Sequence, residues 1–262
     1  TTTAEFEAML IAFKDNAKLL LGDDADKMIP FSVSFDVGWR AANIIESFID
    51  PAMTDKEFYI NGFDDRMYTQ NGTKEAIRLL NKWYNAGLMW NDFALYSSGD
   101  STEDDMIKAG YVGAFQHNWD YPFRNGEDSI QANLKRIVGE DAAFVAIDCF
   151  ENSKGDYAKR AYSSAGDRKL FFPATNDEPL ASLLYLDWIS TPENIQYLQI
   201  GDEGVTHTKL AGGGVAIIPA SGNAIQNSGQ NIDYTITCNG LNLMNAEDTA
   251  KSAAYNYAGV DP

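Results

Sequence analysis

The sequence has few of the residues on which metal binding and nucleophilic catalysis usually depend. It contains two histidines, His117 and His207, and two cysteines, Cys149 and Cys238. It has no Cys-x-x-Cys motif, no His-Glu-x-x-His zinc motif and no Gly-x-Ser-x-Gly nucleophile elbow. We therefore expect no metal site. The two histidines leave a Ser-His-Asp triad open, but no nucleophile elbow marks its serine. The two cysteines leave open one long-range disulfide or two buried thiols, and their number does not decide the cellular compartment.

Basic residues and long apolar runs are also scarce. The chain has 20 Lys and Arg against 38 Asp and Glu, which gives a formal net charge of −18. Binding to nucleic acid or to an anionic membrane surface needs basic patches, so we expect neither partner. No apolar run approaches transmembrane length, and no signal-peptide pattern is present. The acidic segment 97–105 lacks the central glycine and terminal glutamate of a calcium-binding loop, so it predicts a solvated loop and helix start.

The remaining composition and patterning predict a helix-rich α/β protein with a small mixed sheet. The chain of 262 residues is 45% hydrophobic, which is enough for a sizeable core. Residues at helical spacing predict helices near 3–16, 36–49, 71–86, 130–138, 180–190, 192–200 and 246–257, and short apolar runs predict strands at 28–33, 111–115 and 142–148. The pair Asn61-Gly62 predicts a strand and tight turn at 58–62. The leucines of 180–189 are expected to form a buried helix face.

A group of aromatic and polar residues follows the predicted strand at 111–115. Trp119 is accompanied by Gln116, Asn118 and Asp120, and clefts in α/β folds form where strands end. The flat ring of a tryptophan stacks on the apolar face of a sugar, while amides and carboxylates bond its hydroxyls. The pattern predicts a sugar site here, with an ordinary buried Trp119 as the alternative.

Four segments resemble, in order, extracellular solute-binding proteins of ABC importers. The similarity is to family 1, the maltose-binding-protein-like group, in its lipoprotein branch from Gram-positive bacteria. It is carried by the helix that starts at Thr2, by KEAIRLLNKWYNAGL at 74–88, by KAGYVGAFQHNW at 108–119, and by the helix pair of 171–209 with its Thr-Pro-Glu-Asn junction. The sequence departs from the family at His117-Asn118, where a Gly-Pro-like pair is common.

This resemblance implies a fold, a function and a location. The fold would be periplasmic-binding-protein type II-like, with residues 1–262 a single helix-rich solute-binding lobe, mainly the C-terminal one, cut from a longer two-lobe protein. The chain would be a non-catalytic monomer without cofactor that captures a sugar or oligosaccharide and delivers it to ABC permease subunits. The whole protein would be extracellular and lipid-anchored.

The resemblance also adds residues to the candidate site. It places Asp36 and Trp39 on a loop that faces the cleft, with a helix cap and a core ring as the respective alternatives. Phe171 is a possible second stacking ring. Two other classes of function stay open, a secreted glycoside hydrolase and a non-catalytic surface adhesion module. A glycosidase needs two carboxylates facing a cleft, and no pair among the 38 acidic residues is marked as such.

Overall fold

A computed structural model describes residues 1–34, 36–63, 69–97, 100–118, 121–123, 129–158, 170–218 and 245–256. The chain divides into two compact units, Thr1–Ala161 and Tyr162–Pro262, and each is described here by itself. The description of the whole chain as one solute-binding lobe stays a prediction. Helices outnumber strands in the described residues, so the α/β, helix-rich class is confirmed.

The first unit is a helical layer packed on a short parallel strand pair. Its helices are α1 (Thr3–Asp15), α2 (Ala17–Leu21), α3 (Val37–Arg40), α4 (Ala42–Ser47), α5 (Asp55–Phe63), α6 (Asn71–Asn85), α7 (Thr102–Lys108) and α8 (Ile130–Val138). Short 3-10 helices cover Gly22–Lys27, Phe93–Leu95 and Tyr121–Phe123. Strands β1 (Ile29–Ser32) and β2 (Val112–Phe115) pair in parallel, with Ile29 opposite Val112 and Ser32 opposite Phe115.

Two clusters of buried side chains hold this unit together. The larger one joins α1, β1, α4 and α6, and its rings Phe6, Phe31, Trp83 and Phe150 meet edge to face or tilted at 5.3 to 6.4 Å. The smaller cluster lies around Ile107 and joins β2, α7 and α8. The two clusters hold the strand pair between helices. Because the strands are parallel, both end at the same edge.

The predicted hairpin at 58–62 is wrong, because this segment lies in helix α5. A capping box at the helix start outweighs the Asn-Gly turn signal. The Glu57 backbone N–H donates to Thr54 Oγ1 at 3.3 Å, and the Thr54 N–H donates to the Glu57 carboxylate at 2.9 Å. The pattern Thr-x-x-Glu is itself a sequence signal for a helix N-terminus.

The predicted strand at 142–148 is also wrong, because the segment has no strand pairing. The side chain of Gln131 in α8 bonds its backbone instead. The amide Nε2 donates to the Ala142 carbonyl at 2.9 Å, and Oε1 accepts from the Phe144 N–H at 2.9 Å. Cys149 follows with an exposed, free thiol, which contradicts the buried alternative for that residue, whereas Cys238 lies outside the described residues.

The described residues of the second unit form three helices and a short antiparallel ribbon. Helices α9 (Pro179–Ser190), α10 (Pro192–Ile200) and α11 (Ala246–Asn256) accompany β3 (His207–Lys209) and β4 (Val215–Ile217). Helix α11 is bonded to β4, since Ser252 Oγ accepts from the Val215 N–H and Asn256 Oδ1 from the Ile217 N–H, both at 2.8 Å. A Cβ at Gly214 would lie 2.9 Å from the Asp248 carbonyl oxygen, so this close approach requires glycine.

The expected buried face of α9 is not formed. Leu180, Leu183, Leu184 and Trp188 are 47 to 68% exposed, and Ile189 is the buried residue of this helix. Apolar side chains surround almost the whole helix, so their spacing does not mark the one side that contacts the core. No helix among the described residues is long and apolar enough to cross a membrane.

Candidate functional site

The candidate site lies where the parallel strands β1 and β2 end. After β1 the chain enters α3, and the Asp36 carboxylate caps that helix by accepting the Trp39 N–H at 3.0 Å. Asp36 is therefore a helix cap, as the alternative interpretation stated. The Trp39 ring is 41% exposed, which excludes the core-ring alternative and presents an aromatic face to solvent.

The residue that follows β2 bonds directly to the backbone around Trp39. Gln116 Nε2 donates to the Trp39 carbonyl oxygen at 2.7 Å, and Gln116 Oε1 accepts from the Asn43 N–H at 3.1 Å. The side-chain amide thus joins the end of β2 to the junction of α3 and α4. One donor and one acceptor position of Gln116 are already used within the protein.

Three rings form a continuous row beside this junction. The rings of Trp39 and His117 lie nearly perpendicular, with a centroid distance of 4.9 Å and an interplanar angle of 83°. His117 stacks on Tyr121 at 3.4 Å and 10°. The Asn118 backbone N–H donates to His117 Nδ1 at 2.8 Å, which requires that nitrogen to be unprotonated. The row offers an apolar surface, and the exposed Asn118 lies next to it in sequence.

A buried ion pair lies directly under the Trp39 ring. The side chains of Arg40 and Glu103 are 2% and 8% exposed and form a salt bridge. Glu103 Oε1 also accepts from Ser32 Oγ at 2.5 Å, at the end of β1, and the Arg40 guanidinium lies 5.3 Å from the centre of the Trp39 ring. The pair therefore links α3, α7 and the end of β1 beneath the site.

A second acidic group of α7 contacts the ring row. Asp104 accepts a hydrogen bond from the Tyr121 hydroxyl. Burial raises the pKa of the Asp104 carboxyl, and the neighbouring Glu103 charge raises that pKa further, while Lys108 and Arg40 oppose the shift. The protonated form of Asp104 is thus easier to reach than in an exposed aspartate.

The structure brings together four of the seven residues predicted from the sequence. Asp36, Trp39, Gln116 and Asn118 lie within one short network. The bond between Gln116 and Trp39 joins its two halves, which are 77 positions apart in the sequence. Trp119 and Asp120 lie outside the described residues. Phe171 is 84% exposed and belongs to the second unit.

Sequence reasoning missed four residues of this region: His117 and Tyr121 as ring neighbours, and Arg40 with Glu103 as a buried pair. One signal was available for Arg40. It precedes the buried Ile44 by four residues, so it falls on the apolar side of the helical pattern. No comparable signal marks Glu103, because it is one of four acidic residues in a short acidic stretch.

Other features of the described residues do not point to a different site. They contain no group of three or more His, Cys, Asp or Glu side chains suited to a metal ion. A wide surface depression of about 590 Å³ along α6, which includes Lys74, Ile77 and Arg78, holds none of the predicted site residues.

The chain was also compared with known proteins. No family model matches the sequence, and neither a curated protein nor a solved structure shows significant similarity to it.

Proposed function

We propose that this chain binds a carbohydrate, as the substrate-binding component of an ABC importer. The observation that carries the proposal is the half-exposed Trp39 ring at the ends of two parallel strands, next to amide and carboxylate side chains. A ring of this kind supplies a flat apolar surface for a pyranose. The amides and carboxylates supply both donors and acceptors for hydroxyl groups.

The organisation beneath the ring supports the same function. The Asp36 cap, the Gln116 bridge and the His117 edge contact hold Trp39 from three directions. A ring that is already fixed loses little rotamer entropy on binding, which favours affinity for a weakly apolar ligand. The resemblance of the four sequence segments to family 1 solute-binding proteins supplies the rest of the proposal: a type II periplasmic-binding-protein fold, extracellular location on a lipid anchor, and delivery to permease subunits.

The proposal is tested by calorimetry against maltotriose, cellotriose and xylotriose, with the unsubstituted chain and with Trp39→Ala. We expect saturable heat for at least one sugar. Removing the stacking ring should weaken that binding by about 2 kcal/mol, or about 30-fold in Kd, the scale of an aromatic hot spot. The matched control is Trp188→Ala, since Trp188 is similarly exposed, at 47%, but lies on α9 of the second unit; its Kd should stay unchanged.

Three results would contradict the proposal. The absence of heat with every sugar would exclude carbohydrate binding by this chain. Release of shorter sugars during incubation, followed by chromatography, would replace the binding protein with a glycoside hydrolase. Equal loss of affinity in the Trp39 and Trp188 variants would move the site away from the strand ends.

A further inference from the structure

The strand-end network contains a helix that is interrupted at one residue. Helices α3 and α4 are separated by Ala41, whose φ of −124° and ψ of 18° are not helical. In an unbroken helix the Asn43 N–H would donate to the carbonyl of the residue four positions earlier, Trp39. Here the Asn43 N–H donates instead to Gln116 Oε1 at 3.1 Å.

Gln116 also binds the carbonyl group that would accept the missing helical bond. Its Nε2 donates to the Trp39 carbonyl at 2.7 Å, so one carboxamide stands between the two groups that a regular helix would pair. An inserted side chain of this kind is a known cause of sharp helix breaks. It satisfies a donor and an acceptor that the helix ends would otherwise leave without partners.

We propose that Gln116 is a positioning residue, which fixes the Trp39 ring by holding the break between α3 and α4 open. The bridge sets the direction of the peptide that carries Trp39. The ring then lies perpendicular to His117, with its centre 5.3 Å from the Arg40 guanidinium. Without the carboxamide, the Trp39 carbonyl and the Asn43 N–H are free to pair with each other, which lengthens the helix and turns the ring away. The consequence for sugar affinity rests on the function proposed above, but the placement of the ring does not.

The test uses 19F NMR of the chain labelled with 5-fluorotryptophan, which gives one signal for each of the five tryptophans. Trp39→Phe assigns the Trp39 signal. Gln116→Leu keeps the size of the side chain and removes both hydrogen bonds. Gln116→Glu keeps an acceptor for Asn43 but sets a carboxylate against the Trp39 carbonyl. We expect both variants to move the Trp39 signal by more than its line width and to leave the Trp83 signal in place.

The matched control is Gln131→Leu. Gln131 forms the same type of bridge, with both its bonds at 2.9 Å, but to the Ala142 and Phe144 backbone. Gln131→Leu should lower the stability of the chain to a similar extent as Gln116→Leu, without moving the Trp39 signal. A Trp39 signal that stays in place in Gln116→Leu, or that moves equally in Gln131→Leu, would overturn the proposal.

A measurement on the unsubstituted chain covers the case in which the Gln116 variants do not fold. A nuclear Overhauser contact is expected between the Gln116 side-chain amide protons and the Asn43 backbone amide proton, and its absence would overturn the proposal.

If a sugar ligand is found, Gln116→Leu should weaken its binding in the native background and have no further effect in the Trp39→Ala background. Additive losses would show that Gln116 contacts the ligand itself. The NMR measurements need no ligand. If the chain binds no sugar, they still test whether Gln116 positions the Trp39 ring.

Discussion

Removal of the Glu103 charge tests how strongly the buried ion pair with Arg40 stabilises the region beneath the site. Glu103→Gln keeps the shape of the side chain and one acceptor for Ser32, so its main effect is to leave the Arg40 charge without its partner. Arg40 is 1% exposed and its Nε makes no hydrogen bond, so water does not replace the lost carboxylate. Breaking one side of a buried pair costs about 3 to 5 kcal/mol.

The structure favours the lower end of this range. The Asp104 carboxyl also interacts with the Arg40 charge, which leaves part of that charge compensated in the variant. We therefore expect a loss of about 3 kcal/mol. With a urea m value of about 2 kcal/mol/M, the unfolding midpoint should fall by about 1.5 M. The assay is urea unfolding at pH 7, followed by the fluorescence of the buried Trp83 and Trp90, both in the first unit.

Two further variants decide whether the charge itself is responsible. The double substitution Arg40→Met with Glu103→Leu removes both charges and should cost far less than the single change, because apolar replacement of a buried pair is often nearly neutral. Glu75→Gln breaks an exposed pair with Arg78 and should change the free energy of unfolding by less than about 1 kcal/mol. A loss below about 1 kcal/mol for Glu103→Gln would refute the reasoning.

Two other predictions concern packing and protonation. Gly72→Ala places a Cβ against the Phe48 carbonyl oxygen, so the two backbones must separate, and we expect a loss of about 1 to 3 kcal/mol by urea unfolding. An unchanged midpoint would contradict this contact. Because the folded-state pKa of Asp104 lies above its unfolded value, the folded chain binds the proton more tightly, and stability falls as pH rises from the unfolded pKa through the folded one. Asp104→Asn removes this dependence, so the stability of the variant relative to the unsubstituted chain should rise across that pH range. The measurement is urea unfolding followed by circular dichroism, and a constant difference in stability would contradict the raised pKa.

Several elements follow from the sequence alone because their signals are local. The capping box of Thr2 and Glu5 starts α1, with the Glu5 N–H bonded to Thr2 Oγ1 at 3.2 Å. The helical spacing also predicts an apolar stripe on α6, formed by Ala76, Ile77, Leu80, Trp83 and Tyr84. Ala76, Leu80 and Trp83 are buried, whereas Ile77 and Tyr84 lie at its margin and are 46% and 37% exposed. A helix start or an amphipathic face is fixed by residues three and four positions apart, so it is visible in a short window of sequence.

Predictions from local signals were wrong where two signals competed, or where no signal distinguished the buried side of a helix from its exposed side. At 58–62 the Asn-Gly pair predicts a turn, but the Thr-x-x-Glu pattern of Thr54 and Glu57 starts a helix that includes this segment. In α9 the apolar residues surround the helix, so the sequence did not show that Leu180 and Leu184 would be exposed. Propensity is a weak guide in both situations, since long-range contacts decide between similar local options.

The sequence by itself determined that the chain is helix-rich and acidic, and it marked the polar and aromatic residues that follow two short strands. Only the tertiary structure decided what those residues do. The pairing of β1 with β2 brings Gln116 to Trp39 across 77 positions, and Arg40 to Glu103 under the same ring. Such contacts depend on how strands and helices pack. When a side chain from a distant part of the sequence replaces a helical hydrogen bond, the residues around the break show no periodic pattern that would predict it.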